Sequence, residues 1–307
     1  MAICSSVPGL LVSARSALLD AAEALSEHRE SLVLIGAQAV YLRTGGLRVA
    51  LAEATKDSDV ALDPRTVADE PLIDDAMTRA GFYRSDQPGS WLNREGIPVD
   101  LMVPEELAGG GGRGARGARI PPHSKHAARR ARGLEACLVD NEQMDVPALD
   151  PRDKRRARLR VAGPAALLVA KLHKVAERAD APHRLNDKDA HDAYRLLQAF
   201  GTHDLATVFS QLRTHELSAA ATEDALGFLD ELFARSPEAL GSAMAGRAEE
   251  GIGEPEQVAV AAYFLARDLL LELGERLDRS RSGGHPEMSG EFPQDRGSGL
   301  WDLLVGA

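Results

Sequence analysis

Cysteine and aromatic residues are scarce in this chain. It has two cysteines in 307 residues, Cys4 and Cys137, too few for a disulfide framework or a cysteine zinc site. Two free thiols fit a reducing compartment. Aromatic residues make up 4% against 44% hydrophobic overall, so Leu, Val and Ala must fill the core, which favours helical packing. No run approaches the roughly 20 apolar residues that span a bilayer. Arg15 interrupts the one stretch near the start that resembles a secretory leader. Lys and Arg together number 36 against 47 Asp and Glu, a formal net charge of -11. That balance excludes a uniformly cationic nucleic-acid binder and leaves room only for a local basic groove. The expectation is a soluble cytoplasmic protein with no membrane association.

Apolar periodicity predicts a helix over 10–25, a strand at Leu32–Ile35, and a tight turn at Gly36 opening a short helix that ends at Gly45-Gly46. A strand follows over 55–62, then a helix over 71–80 and short strands at 82–84, 90–93 and 97–103. Residues 109–133 are rich in Gly, Ala and Arg and read as a flexible insert; segments 134–139 and 144–148 pair as a hairpin; 150–160 is a polar connection. From Pro164, a residue suited to a first helical turn, nearly everything is helical: 165–179, 188–200, 205–212, 219–234 and 257–277. The predicted class is α+β: a small mixed sheet flanked by helices over 1–150, a helical domain over 160–278, and a disordered tail at 279–307, where Trp301–Val305 is the one apolar cluster.

Asp57-Ser58-Asp59 is the densest functional signal. Side chains alternate along a strand, so these two carboxylates share a face. Two such acids repel one another unless a cation lies between them, and a hard divalent ion favours that oxygen pair together with substrate phosphates. Asp100 sits on a later alternating run, opposite in face to Ile97, Val99, Leu101 and Val103. Three carboxylates on neighbouring strands would hold ions for phosphoryl or nucleotidyl transfer. The turn at Gly36 would bring helix N-terminal amides to a phosphate beside them.

Two later stretches add charge. Lys171, Lys174 and Arg178 fall at i, i+3 and i+7, one stripe of a helix whose start is apolar all round. The stripe suits triphosphate oxygens; the plain alternative is a solvated face with a Lys174–Glu177 bridge. In the next helix, capped by Asn186 or Asp187, Lys188, Asp192 and Arg195 share a face with Asp189 beside them. These acids are suited to pairing with Lys171, Lys174 or Arg178. His173, His183 and His191 lack a zinc-ligand spacing.

On these motifs the chain resembles the AbiEii-type nucleotidyltransferases, a toxin-related branch of the polymerase-beta-like superfamily. The matching positions are Gly36, Asp57, Asp59 and Asp100, then Lys171, Arg178, Lys188, Asp189 and Asp192. The resemblance implies transfer of a nucleoside monophosphate from an NTP to an acceptor hydroxyl, with Mg²⁺ or Mn²⁺ on Asp57, Asp59 and Asp100, and with Lys171 among the catalytic groups. Gly36, Lys171, Lys174, Arg178, Lys188, Asp189 and Asp192 would bind the nucleotide. An RNA or tRNA acceptor and an antitoxin-like protein partner are further implications. Two positions depart from the pattern: Ala37 stands where Gly or Ser is usual, and Glu53 where Arg is usual. They keep two alternatives open, a nucleotidyltransferase of small, antibiotic-type molecules and an inactive binding or regulatory protein on the same fold. The seven basic residues from Arg113 to Arg132 are suited to acceptor RNA phosphates or to a solubilising loop.

Overall fold

The computed structural model describes residues 9–45, 56–111 and 114–282; Cys4, Glu53, Arg113 and the Trp301–Val305 cluster lie outside them. The architecture is α+β. The first part runs α1 (Gly9–Ala24), β1 (Leu32–Ile35), α2 (Gly36–Thr44), β2 (Ser58–Leu62), α3 (Ile73–Arg79), β3 (Tyr83–Arg84), β4 (Ser90–Leu92), β5 (Pro98–Pro104), β6 (Arg129–Ala131), α4 (Glu135–Val139), β7 (Asn141–Pro147) and β8 (Arg156–Ala162). Six helices follow: α5 (Pro164–Ala179), α6 (Asp187–Ala199), α7 (Thr202–Thr214), α8 (Ala219–Leu229), α9 (Leu240–Arg247) and α10 (Pro255–Ser282). A π-helical turn over Asp230–Ala234 continues α8. Among the described residues, no helix is long and apolar enough to cross a membrane.

The strands form one mixed sheet in the order β3-β4-β5-β2-β1-β8-β7, with β6 also on β5. All four residues of β1 are buried, as the unbroken apolar run Leu-Val-Leu-Ile requires of a central strand. It runs antiparallel to β2 and parallel to β8, while β2 and β5 are parallel. Leu18, Ala21 and Leu25 of α1 share an apolar layer with Leu32, Leu34, Val60, Leu101 and Leu159 of the sheet. Ser58 belongs to that side too, donating from Oγ to the Ala14 carbonyl at 2.9 Å. The pleat therefore turns Asp59 and Asp100 to the other face, where α2, α5 and α6 pack together.

Three expectations are corrected here. Residues 150–160 are not a mere connection: β8 is an interior strand next to the edge strand β7, paired on both sides, and it carries the sheet on to Ala162. Its alternation is clear, with Leu159 and Val161 buried and Arg156 and Arg158 exposed. The hairpin of 134–139 with 144–148 does not form. Leu134, Ala136 and Cys137 are buried at helical spacing in and before α4, and the partner of β7 is β8. The insert is folded over 114–133 rather than flexible. Ala118, Ile120, Ala127 and Ala128 are buried, Trp91 Nε1 donates to the Ala127 carbonyl at 3.0 Å, and the His123 imidazole spans the Ala68 carbonyl and the Ile73 amide. Its small apolar residues supply a core contact that the glycine and arginine content conceals.

Candidate active site

Register brings two of the acids together. Asp59 pairs with Asp100 across the parallel β2–β5 ladder, and with Ile35 across the β1–β2 ladder. Ile35 is the last residue of β1, so the chain turns into α2 directly over Asp59. Gly36 makes that turn with φ +66°, in the left-handed region that favours glycine. A Cβ at Gly36 would run into the Asp59 carboxylate, well inside van der Waals contact. The glycine is thus required twice, for its backbone and for the close approach. Gly36→Ala is expected to displace the Asp59 side chain and to destabilise the fold by about 1–3 kcal/mol. Urea unfolding measures this; an alanine variant as stable as the parent would mean that the turn relaxes freely.

Burial and the nearby Asp57 push the Asp59 carboxyl up to about 6, with Asp100 adding to the rise and Lys174 and Arg129 opposing it. Those influences define the neighbourhood: three acids, a lysine from α5 and an arginine from β6. The donor chemistry, carboxylate oxygens on one face beside a cradle that only glycine permits, fits a hard divalent ion. The acids are not yet gathered as a ligand set. Among the described residues, no three His, Cys, Asp or Glu side chains converge closely enough to hold a metal. Asp100 Oδ2 accepts from Arg129 Nη2 at 3.4 Å.

The cationic stripe of α5 is present, and it is largely neutralised. Lys171 Nζ lies 2.9 Å from Asp189 Oδ1 and 2.6 Å from Asp192 Oδ2. Lys174 reaches Asp189 at 3.1 Å and Arg178 reaches it at 3.0 Å. The pairing of the α6 acids with the α5 cations, read from the sequence, is therefore found. Glu177 pairs with Arg184 rather than with Lys174. Burial pulls the Lys171 ammonium down, but Asp192 and Asp189 outweigh it and hold it above the ordinary lysine range. Burial likewise raises Asp189, and Lys171, Lys174 and Arg178 more than reverse it. The Lys171, Asp189 and Asp192 side chains are 5%, 6% and 9% exposed. Their ion pairs form a buried strut between α5 and α6.

Lys174 differs. Its side chain is 38% exposed, and it acts on Asp59 as well as on Asp189. It connects the helical half electrostatically to the acid face of the sheet. Lys188 is half-buried in the first turn of α6, where the Asn186 side chain accepts from the Lys188 backbone amide at 3.1 Å. Burial lowers its ammonium; Asp192 and Asp57 are among the acids opposing that, and Lys171 adds to it.

Two groups have contacts that a sequence reading does not give. Arg129 is one of many arginines in its segment, and only the β5–β6 pairing, Met102 opposite Arg129, brings it to the acids. Arg195, buried in α6, donates to Thr44 at the end of α2, to Oγ1 at 3.0 Å and to the carbonyl at 3.3 Å. It ties the helical half to the very helix that Gly36 opens. Comparison with protein-family models, curated proteins and solved structures finds no match for this chain.

Proposed function

We propose that this chain is a metal-dependent nucleotidyltransferase of the AbiEii type, moving a nucleoside monophosphate from an NTP to an acceptor hydroxyl. The observation that carries the reading is the placement of Asp59 and Asp100 side by side on one sheet face, under the Gly36 turn and across from Lys174. Asp57, Asp59 and Asp100 would hold Mg²⁺ or Mn²⁺. The ion supplies Lewis-acid polarisation of the reacting phosphate. Asp100, on the strand outside the Asp57–Asp59 pair, takes the proton of the acceptor hydroxyl. Lys174 and Lys188 neutralise charge on the triphosphate as the pyrophosphate leaves. Asp189 positions Lys174 directly, and the Lys171 ion pairs hold Asp189 and Asp192 together. The acceptor is RNA or tRNA, whose phosphates the basic residues of 114–133 would suit, and an antitoxin-like partner would regulate the site.

Calorimetry of Mg²⁺ and each NTP binding to the full chain tests the reading, followed by transfer of label from α-³²P-NTP to total cellular RNA. Binding and labelling are both expected, and both are expected to fall at least about a hundredfold in Asp57→Ala. Label on an aminoglycoside instead of RNA would move the acceptor to small molecules. NTP or RNA binding without turnover would replace the enzyme by a binding protein.

A further inference from the structure

Two buried histidines join three segments that are far apart in the chain. His28, in the turn Ser26–Ser31 before β1, donates from Nε2 to the Pro71 carbonyl at 2.8 Å. His123, in the insert, accepts the Ile73 amide on Nδ1 at 3.2 Å, so its proton sits on Nε2, which donates to the Ala68 carbonyl at 2.9 Å. The rings meet edge to face with centroids 5.5 Å apart. The turn before β1, the 68–73 segment leading into α3 and the insert thus converge on two imidazoles.

Both bonding patterns call for neutral rings. Nδ1 of His28 is buried and has no hydrogen-bond partner among the described residues, so a proton placed there would be a buried N–H without an acceptor. Nδ1 of His123 already holds the Ile73 amide, so a proton there would break that bond. Two charged rings side by side would also repel one another. The surrounding charges face solvent or pair elsewhere. Glu27 and Arg29 flank His28, Asp69 and Glu70 precede Pro71, Asp75 lies in the first turn of α3, and Lys125 and His126 follow His123; all are exposed. Asp74 pairs with Arg84, Glu30 with Arg160, and Asp63 with Arg65. Burial is the largest influence on His28 and lowers its imidazole; the Pro71 bond and Glu27 oppose it, and His123 adds to it.

We propose that His28 and His123 form an acid-released clasp: protonation frees the insert from the 68–73 segment while the central sheet stays folded. The insert keeps separate contacts with the sheet, β6 on β5 and Trp91 Nε1 on the Ala127 carbonyl, so it loosens at one end and stays tethered at the other. A ring kept neutral when closed adds stability above the ordinary histidine value of 6.5, and that stability is lost as pH falls below it. Mild acid would therefore loosen the segment that carries Arg129, the neighbour of Asp100. The clasp acts whatever the acid face binds.

Backbone hydrogen exchange of the full-length protein at pH 7.5 and pH 5.5, corrected for intrinsic rates and read by mass spectrometry, tests this. For one ring that stays neutral while closed, that change in pH shifts the opening equilibrium about tenfold. Protection of peptides covering 68–76 and 117–128 is expected to fall at least about tenfold at pH 5.5, while peptides covering β1 and β8 change less than about twofold. In a His28→Gln, His123→Gln double variant, whose amides carry no charge, the pH dependence is expected to vanish. Unchanged protection at pH 5.5 overturns the proposal, as does an equal loss across β1 and β8, which is global acid unfolding. A folded glutamine variant that keeps the pH dependence overturns it too and transfers the effect to the neighbouring carboxylates. Should that variant not fold, proton NMR of the parent's imidazoles decides. Rings that charge in step with the loss of protection support the clasp; rings that charge in the closed state remove it.

Discussion

Asp59→Asn is expected to abolish the proposed nucleotidyl transfer while making the protein more stable at neutral pH. The loss of activity follows from its position, with its carboxylate against the Gly36 turn and beside Asp100. Removing a central charge from such a cluster costs on the order of 10²–10³ in rate or more. The gain in stability follows from linkage. The folded carboxyl titrates at about 6 against an ordinary value of 3.8, so the native state holds the proton more tightly than the unfolded chain. Its contribution to stability is full at low pH and is lost as pH rises from about 4 through about 6. Above that window the folded protein carries a carboxylate crowded by Asp57 and Asp100, which asparagine does not. Urea unfolding in a chelator at pH 5 and pH 7.5 measures the difference between parent and variant, and the advantage of the variant should be larger at pH 7.5. Equal differences at both values would mean that Asp59 is charged throughout.

Lys171→Met is expected to produce the largest loss of stability of any single substitution in the helical half. Its buried ammonium bridges Asp189 and Asp192. Deleting one partner of a buried pair leaves uncompensated charge, at a cost of about 3–5 kcal/mol. Lys174 and Arg178 still serve Asp189, so the orphan is mainly Asp192. The double variant Lys171→Met, Asp192→Leu should therefore recover much of the loss, because it removes the orphan too. Denaturant midpoints at constant m-value report both effects. A single variant within about 1 kcal/mol of the parent would show that water or the remaining cations reach Asp192.

Much of the site is legible in the sequence because it rests on local signals. The apolar run before Gly36, the spacing of Asp57 and Asp59, and the alternation about Asp100 each report a strand face, and register then makes neighbours of Asp59 and Asp100. The α5 stripe and the α6 acids are likewise visible as helical spacing. Which cations are available is not visible. Lys171 and Lys174 look alike in sequence, yet one is buried between two carboxylates and the other lies partly open toward Asp59. That difference depends on how α5 and α6 face each other, which periodicity within one helix does not specify. β8 is hidden because its outward residues are arginines, so the two-residue period is masked by basic composition. The short helix α9 is hidden by its glycine, serine and alanine content, although Met244 and Ala245 are fully buried. Arg129 reaches the acids only through a strand pairing across a folded insert, a long-range fact without a local trace.

The bond from Arg195 to Thr44 has an implication for how the molecule is divided. The last turn of α2 is fastened by a residue roughly 150 positions away along the chain. A polypeptide stopped after Ala162 would keep every acid of the cluster, yet lose both that fastening and Lys174. The sheet alone would then lack part of the proposed site. If the proposed transfer is real, two separately expressed halves should show it only when they reassociate, with Arg195 returned to its threonine.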